Sequence, residues 1–142
     1  MPATSSLQDH FHELSFYTLS HPDPVYFIHQ HAVDAFAAQT ADENTKPIKL
    51  TFALIGLYLF LEKRYTGKQV QNAHVKLSQN KKVWPSLTLP KERGAITVNQ
   101  VLQVEAGEPR DQMIKKWCES VWAAYKNGHQ AIAHLAKTEL SV

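Results

Sequence analysis

The run Leu50-Thr51-Phe52-Ala53-Leu54-Ile55-Gly56-Leu57-Tyr58-Leu59-Phe60-Leu61 is apolar on every side of a helix, with Thr51 its one polar interruption. A helix with no face that prefers water must be enclosed by other elements. The run falls well short of the roughly 20 apolar residues that a membrane span requires. It therefore predicts a buried central helix over about 48–62, closed by Glu62-Lys63-Arg64. The rest of the chain has to supply its walls.

Those walls read as helices. Leu7, Phe11, Leu14 and Thr18 recur at helical spacing and predict a first helix from Ser5 to about Ser20. His21-Pro22-Asp23-Pro24 breaks it, and Asp23 as cap with Pro24 in the first turn predicts a second helix running to about Thr40. Thr45 and Pro47 open the central helix by the same logic, and Thr66 caps a fourth that runs to about Lys81 with Val70, Ala73, His74 and Leu77 inward. Prolines and a glycine make 82–96 an ordered loop with Trp84 and Leu89 on the body. Thr97 and Gln100 form a capping box for a short helix. A long last helix begins near Pro109 and carries Ile114, Cys118, Val121, Tyr125, Ile132 and Ala136 on one stripe, with Asn127-Gly128 as a kink or an end. The fold class expected is all-α, a compact bundle of five or six helices in one domain over 1–142.

Charge narrows the partners. Residues 1–62 hold seven carboxylates against Lys46 and Lys49, whereas 63–142 hold thirteen Lys or Arg against six carboxylates. The basic residues are scattered over several segments, which describes a solvated surface better than a nucleic-acid footprint. A single cysteine, Cys118, on an apolar stripe excludes an intrachain disulfide and reads as a buried thiol. The first residues lack the apolar core of a signal peptide, so a cytoplasmic location and no membrane partner are expected.

Eight histidines are present, and three of them fall on apolar stripes of three different predicted helices: His29, His74 and His129. Each predicts an inward imidazole, which burial obliges to find a partner, and a shared metal ion is one way to satisfy several at once. The expected site is a divalent transition metal (Zn, Fe, Mn or Ni) on His29, His74 and His129, with His31 as a further ligand. Asp34 and Glu13 are the candidate catalytic bases, acting on a metal-bound water and a small-molecule substrate. No His-Glu-x-x-His, Glu-x-x-His or His-Asp pattern supports a particular metalloenzyme class. The opposing reading gives each histidine a backbone carbonyl of its own. From a different class come an interaction module that holds an anionic partner through Lys76, Lys81, Lys82, Lys91 and Arg93 around Trp84, and a homodimer scaffold.

Several segments together, His12-Glu13-Leu14, His21-Pro22-Asp23-Pro24, Phe27-Ile28-His29-Gln30-His31, Val33-Asp34-Ala35-Phe36 and Ala38-Gln39, resemble a family of small bacterial proteins of unknown function. The likeness continues through Gly56-Leu57-Tyr58, Thr66 to Gln71, Arg93 to Val98 and Trp117 to Trp122. It implies no activity, but it places weight on His29, Gln30, Asp34 and Gln39 of the second helix. Many members begin with a Cys-x-x-Cys segment that this chain lacks, so no zinc role of that segment carries over.

Overall fold

The computed structural model describes residues 3–20, 26–79 and 84–142. In chain order the helices are α1 (Ala3–Ser20), α2 (Ile28–Gln39), α3 (Pro47–Lys63), α4 (Gly67–Ser78), α5 (Val98–Gln103), α6 (Glu108–Ala124) and α7 (His129–Leu140), with a 3-10 turn at Lys126–Gly128. No strand occurs among the described residues, and the class is all-α. No helix among them is long and apolar enough to cross a membrane.

The apolar run folds as the central helix. Pro47 sits in its first turn, where the missing N–H costs nothing, and Arg64 ends it in a left-handed conformation. Leu54, Ile55, Leu57 and Leu59 are fully buried because α2, α4, α6 and α7 all pack on α3. Complete enclosure explains why a helix with no polar face is stable here.

Several starts differ from expectation for physical reasons. α2 begins at Ile28, not at Asp23-Pro24, because Phe27 lies at φ 46, outside any right-handed helix. That turn is held from afar: Gly67 N–H donates to the Tyr26 carbonyl, so the N-terminus of α4 docks on it. The expected cap itself falls outside the described residues. Lys46, not Thr45, is the residue before α3, because the Thr45 hydroxyl is engaged with Asp42 in the preceding turn. Thr66 and Gln69 do form the capping box of α4. Its last expected turn, to Lys81, reaches residues beyond those described. The long last helix is two, α6 and α7, yet Ile114, Cys118, Val121, Tyr125, Ile132 and Ala136 are all buried, because the short 3-10 turn between them keeps one face inward.

The segment before α5 has no regular structure and is fastened to the body by side chains. Trp84 meets the edge of Phe52 at 5.4 Å. Trp117 Nε1 donates to Gln39 Oε1 at 2.9 Å, and Gln39 Nε2 donates in turn to the carbonyls of Arg93 and Ile96. Gly94, at φ 101, makes the bend, and the space where a side chain would stand is taken by Ser120, whose hydroxyl accepts from Ala95 N–H at 3.0 Å.

Candidate functional site

The three inward histidines each have a partner of their own. His74 Nε2–H donates to the Phe52 carbonyl at 2.8 Å, and His129 Nε2–H donates to the Trp122 carbonyl at 2.7 Å while its ring stacks on Trp122. A carbonyl only accepts, so both rings carry their proton on Nε2 and leave Nδ1 as a lone pair. The Thr18 hydroxyl spends its proton on the Ser15 carbonyl, so His29 Nδ1–H donates to Thr18 at 2.9 Å. These bonds tie the imidazoles to three different places: α1, the early part of α3, and the end of α6. Among the described residues no group of three or more His, Cys, Asp or Glu is placed to hold a metal ion. Glu13 is exposed on α1 and is not among the groups that gather around Asp34.

What the structure does bring together is Asp34 and His74. A groove of about 370 Å³ runs between α2, α3 and α4, lined by Gln30, Asp34 and His74 among Val33, Ile48 and Phe52, with Lys49 and Ser78 at its edges. Asp34 is nearly sealed, only 3 % exposed. Its Oδ1 accepts from Gln30 Nε2 at 3.1 Å, one helical turn back, while Oδ2 is buried with no hydrogen-bond partner. Burial pushes the Asp34 carboxyl well above the usual carboxylate range, and the Gln30 bond offsets this only in part. Burial likewise lowers His74, against the bond to Phe52. The site therefore pairs a carboxyl held toward its acid form with a neutral imidazole.

Behind the groove lies a second, sealed set of polar groups. His31 is fully buried, its ring stacked on Phe60 at 3.6 Å, and neither ring nitrogen has a partner. Burial drives its pKa down to about 3. Thr51 Oγ1 is also buried without a partner. The Cys118 thiol faces the His31 carbonyl at 3.5 Å, and burial, then the neighbouring Asp34, raise it well above the usual thiol range. It is inert as a nucleophile.

Gly56 is the residue that sequence reasoning missed. A Cβ built there would overlap the Asp34 carboxyl, so this glycine is what lets the acid lie against the backbone of α3. The signal was present: a glycine inside an otherwise strongly helix-forming apolar run costs helix stability and calls for a packing reason. The basic surface set around Trp84 is described only in part. Trp84 packs against Phe52, Arg93 is bound to backbone carbonyls, and Lys81 and Lys82 lie outside the described residues.

A sequence model described as a family of unknown function, DUF5946, matches residues 3–126. No curated protein and no solved structure matches the chain.

Proposed function

The chain belongs to this family of unknown function, and we propose that its members' working site in this protein is the groove between α2, α3 and α4, which binds a small molecule with an apolar body. The observation that carries this is the buried Asp34 carboxyl, which lines the groove together with His74. The carboxyl's unpartnered Oδ2 lies against Gly56, at a cost of about 1–3 kcal/mol that a turn of the carboxyl toward a hydrogen-bond-accepting ligand in the groove would recover. His74, with Nδ1 open as an acceptor, supplies the complementary contact. An acid and a neutral base whose pKa values are moved toward each other are also the equipment of proton transfer, so the site suits general acid–base chemistry on a bound carbonyl or heteroaromatic compound.

Titration of a fragment set against the amide NMR spectrum tests this. Fragments that accept hydrogen bonds should shift the amides of Gln30, Ala53 and Ser78, and Asp34→Ala should weaken them about tenfold. Binding elsewhere, or equally tight binding to the variant, would overturn the reading. A metal ion in the same groove is the second reading, supported by the same donors: Asp34 and His74 would supply two contacts, with ligand or water completing the shell. Elemental analysis of untagged protein beside His74→Ala checks it. Less than about a tenth of an equivalent of metal, with no stabilisation by added Zn, Mn, Ni or Fe, removes it.

A further inference from the structure

A second cleft, of about 400 Å³, lies on the other side of α2, between α1, α2 and residues 91–97. Its basic wall is Arg93. Arg93 Nε donates to the Pro90 carbonyl at 3.2 Å, and Nη1 donates to the carbonyls of Gln39 and Ala41. Three carbonyls fix the plane of the guanidinium and leave Nη2 with two N–H groups unspent among the described residues. None of these partners carries a charge. A half-buried guanidinium held in place by neutral groups keeps its full positive charge for something else.

The surroundings say what that something is. Lys91 stands beside Arg93 at the exposed rim, with Gln8 across from it on α1. Leu7 and Phe36 form an apolar floor, and Phe36 is stiffened by stacking on Phe11 at 4.2 Å. The one acid in the lining, Asp42, is turned to its own loop, where it accepts from Asn44 N–H at 2.9 Å and from the Thr45 hydroxyl. Gln39, anchored by Trp117, clamps the 93–96 backbone, so the cationic wall is rigid before anything binds.

We infer that this cleft binds an organic oxyanion, a carboxylate or phosphate monoester on a flat apolar stem, with its charged end on Arg93 Nη2 and Lys91 and its stem on Leu7 and Phe36. The site is separate from the Asp34 groove and stands or falls without it.

Benzoate, phenyl phosphate and inorganic phosphate, each titrated at low salt and watched through the Arg93 side-chain N–H and the Gly94 amide, test the inference. Benzoate or phenyl phosphate should give saturable shifts below about 10 mM, and whichever is tighter identifies the head group. Because Arg93 also holds its loop, the decisive variant is Lys91→Glu, which leaves those carbonyl bonds intact and should weaken binding about tenfold, with the loss shrinking as salt rises. Arg93→Lys, read by the same amides, should weaken binding further if it folds. Absence of a saturable shift with both benzoate and phenyl phosphate, or indifference to Lys91→Glu, would overturn the site. Inorganic phosphate bound as tightly as phenyl phosphate would overturn the apolar stem.

Discussion

Asp34 and His31 stand three residues apart on α2, and burial moves their titrations in opposite directions. The folded Asp34 carboxyl keeps its proton above the point, near 3.9, where an unfolded aspartate loses it. Over that interval the folded state holds more protons than the unfolded one, so this group makes stability fall as pH rises. His31 does the reverse. With its folded pKa at about 3 against about 6.5 unfolded, the folded state holds fewer protons between those values, and stability is lost as pH drops through the window. His29 and His74, both lowered by burial, act in the same sense as His31. Urea titrations from pH 4 to 7 should therefore show a steeper acid loss in Asp34→Asn than in the parent, since the opposing term is gone. An unchanged slope would mean that the carboxyl is ionised in the fold. At pH 7, His31→Phe should keep the stack on Phe60, remove two unpartnered nitrogens, and raise Tm by about 4 °C. A fall in Tm would instead assign those nitrogens a buried water or ion. That His31 points inward was not legible beyond its sharing a helix edge with Asp34: periodicity gives a residue's face, while burial depends on what the facing helix presents, here Phe60.

At the scale of the element, the contact that defines the site is the one between α2 and α3, and Gly56 sets how closely they approach. Replacing it with alanine would gain about 1 kcal/mol of helix propensity on an isolated helix. Here the added methyl would overlap the Asp34 carboxyl, so Gly56→Ala should be destabilising by about 2 kcal/mol net. The overlap belongs to the pair. Asp34→Ala on the Gly56→Ala background should restore most of that loss, with a coupling of about 2 kcal/mol in the four-variant cycle measured by urea unfolding. Additive losses would show that the close approach is incidental. The helices themselves were largely legible, because Leu14, Val70, Leu77, Ile114 and Ile132 recur at helical spacing and are all buried. The start of α2 was not. Asp23-Pro24 is a good local signal, but the left-handed turn at Phe27 is imposed by the docking of Gly67, a contact between segments distant in sequence. The supposed convergence of His29, His74 and His129 failed for a related reason: stripe analysis says that each imidazole faces inward and nothing about how high along the bundle each one sits.

For the whole molecule, everything depends on keeping α3 covered, and its last wall lies beyond the family match, which ends at residue 126. α7 packs on both α3 and α4. Ile132 and Ala136 are fully buried and Leu140 nearly so, while at its start His129 stacks on Trp122, whose indole N–H donates to Glu62 at the end of α3. The sequence showed this wall, since Ile132 and Ala136 continue the stripe of α6, but not that the chain would break before it, because Asn127-Gly128 is equally compatible with a kink. Two consequences follow. Ile132→Ala should cost about 3 kcal/mol, the usual toll of a large-to-small change in a sealed core, and it should do so without shifting the amides of Arg93 or Gly94 on the far side of α2. Removing α7 altogether, by ending the chain after Gly128, uncovers the part of the apolar helix α3 that α7 covers. Such a chain should lose its cooperative urea transition and bind a hydrophobic dye, whereas retention of a sharp transition with a similar m-value would mean that α7 is an accessory and that α1 to α6 enclose α3 by themselves.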